Sequence, residues 1–159
     1  MLCASVGLQA TQSAASLNDA RRWERDLLEG FSADEPGWKW IPAVQSRYIP
    51  TVPSQKKVLV GVWTRATELI SRDSLSISVY QVANPEEARR WLLRTAPPPD
   101  GWRKRRYDIG DESSLAEHVS GQIEVSFRWR QFVGTVSGRE TARLDRFARQ
   151  IIASLKAAI

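Results

Sequence analysis

The sequence predicts an α+β domain: an antiparallel sheet of about five to six strands packed against flanking helices, the last of them an amphipathic C-terminal helix. Three observations carry this. Short runs alternate apolar and polar side chains and follow one another through tight turn signals, as hairpin-linked strands do. Three other stretches repeat their apolar residues with the period of a helix. The chain has 159 residues, a length that suits one core. Residues 16–159 are read as that single domain, and residues 1–15 as a signal-peptide remnant or a disordered arm.

Residues 1–16 carry no charged side chain. Ser13-Ala14-Ala15 fits the small-x-small pattern of a signal-peptidase site, although a basic leading region is missing. The expectation is export to the periplasm or cell envelope, with a cytoplasmic chain as the alternative. Cys3, the only cysteine, is then a lipid-bearing residue only if a lipobox precedes it, and it leaves no intrachain disulfide.

A helix is expected over 17–29, where Leu17, Ala20, Trp23, Leu27 and Leu28 share a face. Ser16 and Asp19 supply a capping pair, and Gly30 the stop. Pro36, Pro42, Pro50 and Pro53 then argue for an ordered loop over 31–56, pinned by Trp38 and Trp40. Residues 57–66 are apolar on both faces at their centre, which marks an inner strand. Residues 74–82 alternate Leu75, Ile77 and Val79 with serines, and pair antiparallel with the preceding strand. Asn84-Pro85-Glu86-Glu87 starts a second helix: Asn caps, Pro takes the first turn, and the acids oppose the dipole. It runs to about Arg94 and stops at Pro97-Pro98-Pro99.

Strands follow near 113–119, over 122–129 and over 132–137, with turns at Ser120-Gly121 and Arg130-Gln131. Ser137 and Glu140 form a second capping pair. The last helix, 139–158, lines up Leu144, Phe147, Ala148, Ile151, Ile152 and Leu155. Phe127, Trp91 and that stripe are expected to cover the same sheet.

Residues 74 onward resemble a class of bacterial exported domains of Mog1/PsbP-like architecture. The matching stretches are ISVYQVANPEEARRWL, YDIGDESS, IEVSFRWRQFVGTVSG and LDRFARQIIASL. The turn after Phe127-Arg128 departs from that pattern, with Trp129-Arg130-Gln131 in place of Gly-Asn. The resemblance implies an antiparallel sheet flanked by helices, and a binding or accessory role without catalytic residues.

Composition narrows the function classes. Lys and Arg total 23 against 18 acids, a net charge of +5, and the pI is near 9.8. That biases the surface toward anions without requiring nucleic acid. His118 is the only histidine, so multi-histidine metal sites are excluded. There is no nucleophile elbow, phosphate-binding loop or dinucleotide fingerprint. Asp108, Asp111 and Glu112 cluster around Gly110, but a turn with Gly110 at positive φ explains them better than a cation site. No cofactor, metal or catalytic set is implied. A hydrolase using Asp108, Asp111 and His118 ranks last.

The sharpest signal is Trp102-Arg103-Lys104-Arg105-Arg106-Tyr107, read as a loop. Guanidinium groups grip phosphate or carboxylate, and flanking aromatics can stack on a base. Arg143, Arg146 and Arg149 add a basic stripe on the last helix, capable of meeting anionic lipid. The favoured reading is a non-catalytic exported domain that binds a partner protein or small ligand. The alternative is a nucleic-acid or polyanion binder using the basic loop.

Overall fold

The computed structural model describes residues 19–43, 56–65, 73–94 and 100–159. These form α1 (Ala20–Asp34), β1 (Lys39–Pro42), β2 (Lys56–Thr64), β3 (Ser74–Gln81), α2 (Pro85–Arg94), β4 (Trp102–Tyr107), β5 (Glu112–His118), β6 (Ile123–Trp129), β7 (Phe132–Gly138) and α3 (Thr141–Ala158). The class is α+β, and the sheet is antiparallel throughout, in the order β1-β2-β3-β7-β6-β5-β4. It holds seven strands, more than the five to six expected, because β1 and β4 come from stretches read as loops. The expectations for residues 1–15, Ser16, Leu17 and Pro97-Pro98-Pro99 lie outside the described residues.

Asp19 caps α1: its Oδ1 accepts from the Arg22 N–H at 2.9 Å. Gly30 does not end this helix, which continues to Asp34. A mid-helix glycine costs about 1 kcal/mol, and burial of the next residue offsets it. Phe31 is fully buried, its ring 4.2 Å from Phe147 and 5.9 Å from Trp63 between centroids. A large apolar side chain so placed stabilises by about 1.5–3 kcal/mol.

Trp38 is buried beneath the Arg143 guanidinium, 4.5 Å from its ring centre, and the chain then enters β1. Pro42 is tolerated there because β1 ends the sheet among the described residues, where a missing N–H breaks no ladder on the outer side.

The two faces of the sheet are covered unequally. α1 and α3 cover one face, over Leu59, Trp63, Leu75, Ile77, Leu115, Val125, Phe127 and Val136. α2 covers the other with a small cluster: Val60, Tyr80, Val82, Ala88, Trp91 and Val133. Trp91 therefore lies across the sheet from Phe127, on the opposite face.

α2 starts as its sequence dictates. Asn84 Oδ1 accepts from the Glu87 N–H at 2.8 Å, and Glu87 Oε2 accepts from the Ala83 N–H at 3.0 Å. The expected capping pair before α3 does not form. Ser137 is paired within β7, and Glu140 caps without a side-chain bond.

Candidate functional site

The basic run is a strand. Its register on β5 pairs Trp102 with His118, Arg103 with Glu117, Lys104 with Ala116, Arg105 with Leu115, Arg106 with Ser114 and Tyr107 with Ser113. Among the described residues nothing pairs with its other side, so β4 is a sheet edge. Side chains alternate along it. Arg103, Arg105 and Tyr107 lie on the α1/α3 face, and Trp102, Lys104 and Arg106 on the α2 face. All four cations are exposed.

Backbone polarity along the edge follows from one hydrogen bond. The Val119 N–H donates to the Gly101 carbonyl at 3.0 Å, so Gly101 and Val119 are a bonded pair. In an antiparallel ladder bonded and non-bonded pairs alternate. Arg103, Arg105 and Tyr107 therefore direct their backbone groups to β5. Trp102, Lys104 and Arg106 direct theirs outward.

The two aromatic ends are already engaged. The Trp102 ring contacts His118 at 5.1 Å between centroids. Tyr107 packs against the large core, and its hydroxyl donates to Asp145 on α3. Burial, followed by that carboxylate, pushes the Tyr107 hydroxyl up to about 12. The Arg149 guanidinium stands 5.8 Å from the same ring. Both rings hold the strand ends instead of standing free to stack on a ligand.

Only Arg105 has an acid partner, Glu117 at 3.3 Å; Arg103, Lys104 and Arg106 have none among the described residues. The helix stripe is different. Arg143 and Arg146 both bond Glu35, and Arg149 bonds Asp145. That stripe ties α1 to α3 and leaves little charge for a lipid surface.

A groove of about 530 Å³ runs between the end of α2 and the β4 edge. Leu92 and Leu93 line one wall, Lys104 and Arg106 the other, and Ser114 and Glu112 also border it. Leu93 is 63% exposed there. Sequence reasoning missed both leucines as site residues. Their helical period assigns Leu92 to the core, and nothing local shows that the neighbouring Leu93 faces a groove.

The acidic cluster is a turn held by β6. The Asp111 N–H donates to the Arg128 carbonyl at 2.8 Å, and Asp111 Oδ2 accepts from the Arg130 N–H at 2.6 Å. Arg128 reaches both Asp111 and Glu112. Gly110 has φ 65°, and a Cβ there would fall 2.4 Å from the Arg128 carbonyl oxygen, so the turn requires glycine. Among the described residues no cluster of three histidine, cysteine or acidic side chains is placed to hold a metal. His118 Nδ1 lies 2.8 Å from Ser120 Oγ. Its neighbour Glu117 points to the opposite face, toward Arg105.

A second, shallower cleft of about 750 Å³ separates α1 from β1, with Trp38, Trp40 and Trp63 along it. Its rim mixes Arg21, Arg25 and Lys39 with Glu24 and Glu29, which gives it no dominant charge.

No family model matches the chain, and no curated protein matches it. Among solved structures, a GTP-binding regulator from Thermotoga maritima is similar at a TM-score of 0.45 and 15% identity, over 89% of this chain and 87% of that one. That likeness is too distant to assign a family or a ligand.

Proposed function

We propose that this chain is a non-catalytic binding domain of the cell envelope that takes an anionic partner at the β4 edge. The observation that carries the reading is three cations, Arg103, Lys104 and Arg106, with no acid partner among the described residues, on an exposed sheet edge beside a groove with an exposed leucine. Among the other described arginines, nine stand within ion-pair distance of an acid, from Arg22 on α1 to Arg149 on α3. Export is supported by the uncharged residues 1–16 with Ser13-Ala14-Ala15, and by the resemblance of the C-terminal half to exported domains. No helix among the described residues is long and apolar enough to cross a membrane.

A nucleic-acid or polyanion partner is the second reading, favoured by the row of guanidinium groups. Against it stand the Trp102 and Tyr107 rings, which are occupied within the protein and offer no stacking platform.

Heparin and oligothymidylate binding at low and physiological salt tests the surface. Weak heparin binding, confined to low salt and lost when Arg103, Lys104, Arg105 and Arg106 are all changed to Ser, is the expected result. Oligothymidylate preferred over heparin and retained at physiological salt overturns it in favour of nucleic acid. N-terminal sequencing of the chain recovered from its native host tests export. Recovery in the envelope fraction without residues 1–15 is expected; recovery in the cytosol with Met1 retained, or its processed equivalent, overturns that part.

A further inference from the structure

We infer that the anionic partner is a polypeptide, an extended acidic segment carrying an apolar residue, which adds to β4 as an eighth strand. This rests on the anion-binding reading above and specifies its ligand. Four features of the edge point the same way.

First, Trp102, Lys104 and Arg106 direct both N–H and C=O outward. A phosphate backbone offers acceptors alone and would leave the carbonyls unmatched. A polypeptide strand offers donors and acceptors in the same alternation. Second, the cations stand on both faces of β4, so an added strand meets Lys104 and Arg106 through one set of side chains and Arg103 and Arg105 through the other. Acidic residues on either face are matched.

Third, the α2-side set also reaches the groove walled by Leu92 and Leu93. An apolar side chain there would cover Leu93, which is otherwise 63% exposed. Fourth, charge excludes the simplest competitor, a second copy of this chain. Two β4 edges brought together would oppose cation to cation, an arrangement that keeps sheet edges apart. The same row of charge that prevents self-pairing selects an acidic strand.

The test uses the full chain and a labelled, end-capped octapeptide alternating Glu with Val and Leu, followed by fluorescence anisotropy. Two further peptides carry backbone N-methyl groups on alternate residues, in opposite phases. An added strand turns every second N–H toward β4. One phase is therefore expected to weaken binding about tenfold or more, and the other to leave it nearly unchanged. Leu93→Ser is expected to weaken the Val/Leu peptide several-fold while sparing a peptide of Glu and Ser.

Equal effects of the two phases overturn strand addition. If binding is then still lost when Arg103, Lys104, Arg105 and Arg106 are all changed to Ser, the anion-binding surface stands and only the inference fails. Oligothymidylate of equal charge binding more tightly than the peptide overturns the inference in favour of nucleic acid. Binding of no anion at low salt overturns both.

Discussion

The two faces of the sheet divide the labour of this molecule. Under α1 and α3 lies a continuous apolar layer containing Phe31, Trp63, Phe127 and Phe147, all essentially inaccessible. Under α2 the apolar cluster is small and gives way to Ser78, Ser114 and Ser126, with Glu124 half-buried among them. Stability is concentrated on the first face. The second face, more thinly covered by the described residues, leaves room for the groove beside β4. The difference shows how one sheet can be rigid and still offer a surface for recognition: the deep core holds the strand, and the shallow side exposes it.

Substitutions can break that comparison. The largest effect is expected from Phe127→Ala. Phe127 is fully buried against α3's side of the sheet, and a Cβ on Gly134 would sit 2.5 Å from its Cζ, so the fit is tight. The expected cost is about 3–5 kcal/mol, read as a lower denaturant midpoint at unchanged slope. Trp91→Ala removes the largest member of the α2 cluster. It is expected at the lower end of the same range, about 3 kcal/mol, because fewer buried neighbours surround it. A cost equal to or above that of Phe127→Ala in the same denaturation series would overturn the division between faces. Asn84→Ala removes the α2 cap bond to the Glu87 N–H and is expected to cost about 1 kcal/mol.

A smaller effect sharpens the contrast through pH. Burial pushes the Glu124 carboxyl above its ordinary value, and the Ser126 hydroxyl opposes this only in part. The folded state thus favours the protonated acid. Its contribution is fully present below the unfolded value, about pH 4, and is lost as pH rises through the raised folded value. Glu124→Gln is therefore expected to raise Tm relative to the parent at pH 7, with the gain shrinking toward pH 4. A pH-independent difference in parallel melts would show that the carboxyl is solvated. The smallest effect is expected at the edge itself. Changing Arg103, Lys104, Arg105 and Arg106 to Ser should leave Tm within about 2 °C, since exposed charges contribute little to stability.

Legibility in the sequence followed burial. The segment from Asn84 to Arg94 carries its own cap, proline and apolar face, and it folds as read. Strand β6 alternates visibly, with Ile123, Val125, Phe127 and Trp129 toward the large core, and the Arg130-Gln131 turn joins β6 to β7 with Arg130 at φ 51°. β4 was illegible for the converse reason. Trp102 to Tyr107 is exposed on both faces along its centre, so it has no apolar period, and its pairing with β5 is a tertiary fact. The site residues were visible as a charged run, but the loop assignment concealed the outward backbone groups and the groove. Gly30 misled because its local signal is a stop, whereas Phe31 gains more by remaining helical. The two-faced arrangement was also hidden, since periodicity says that Trp91 and Phe127 are buried but not on which side.

The strand order has a consequence for how the chain reaches this structure. β4, β5, β6 and β7 are consecutive hairpins, each closed by a short turn. β1 to β3 precede them, and the two halves of the sheet join through the six residue pairs between β3 and β7. Local hairpins cost little loop entropy to close, whereas that seam encloses α2 and the whole β4–β6 meander. Formation of the seam should therefore set the folding rate. Substitutions across it, such as Val79→Ala, should slow refolding, and so should those at the β4–β5 pairing, which is already formed when the seam closes. The half of the molecule that bears the binding edge would thus assemble from short-range contacts, before the chain commits to the longest-range pairing of its sheet.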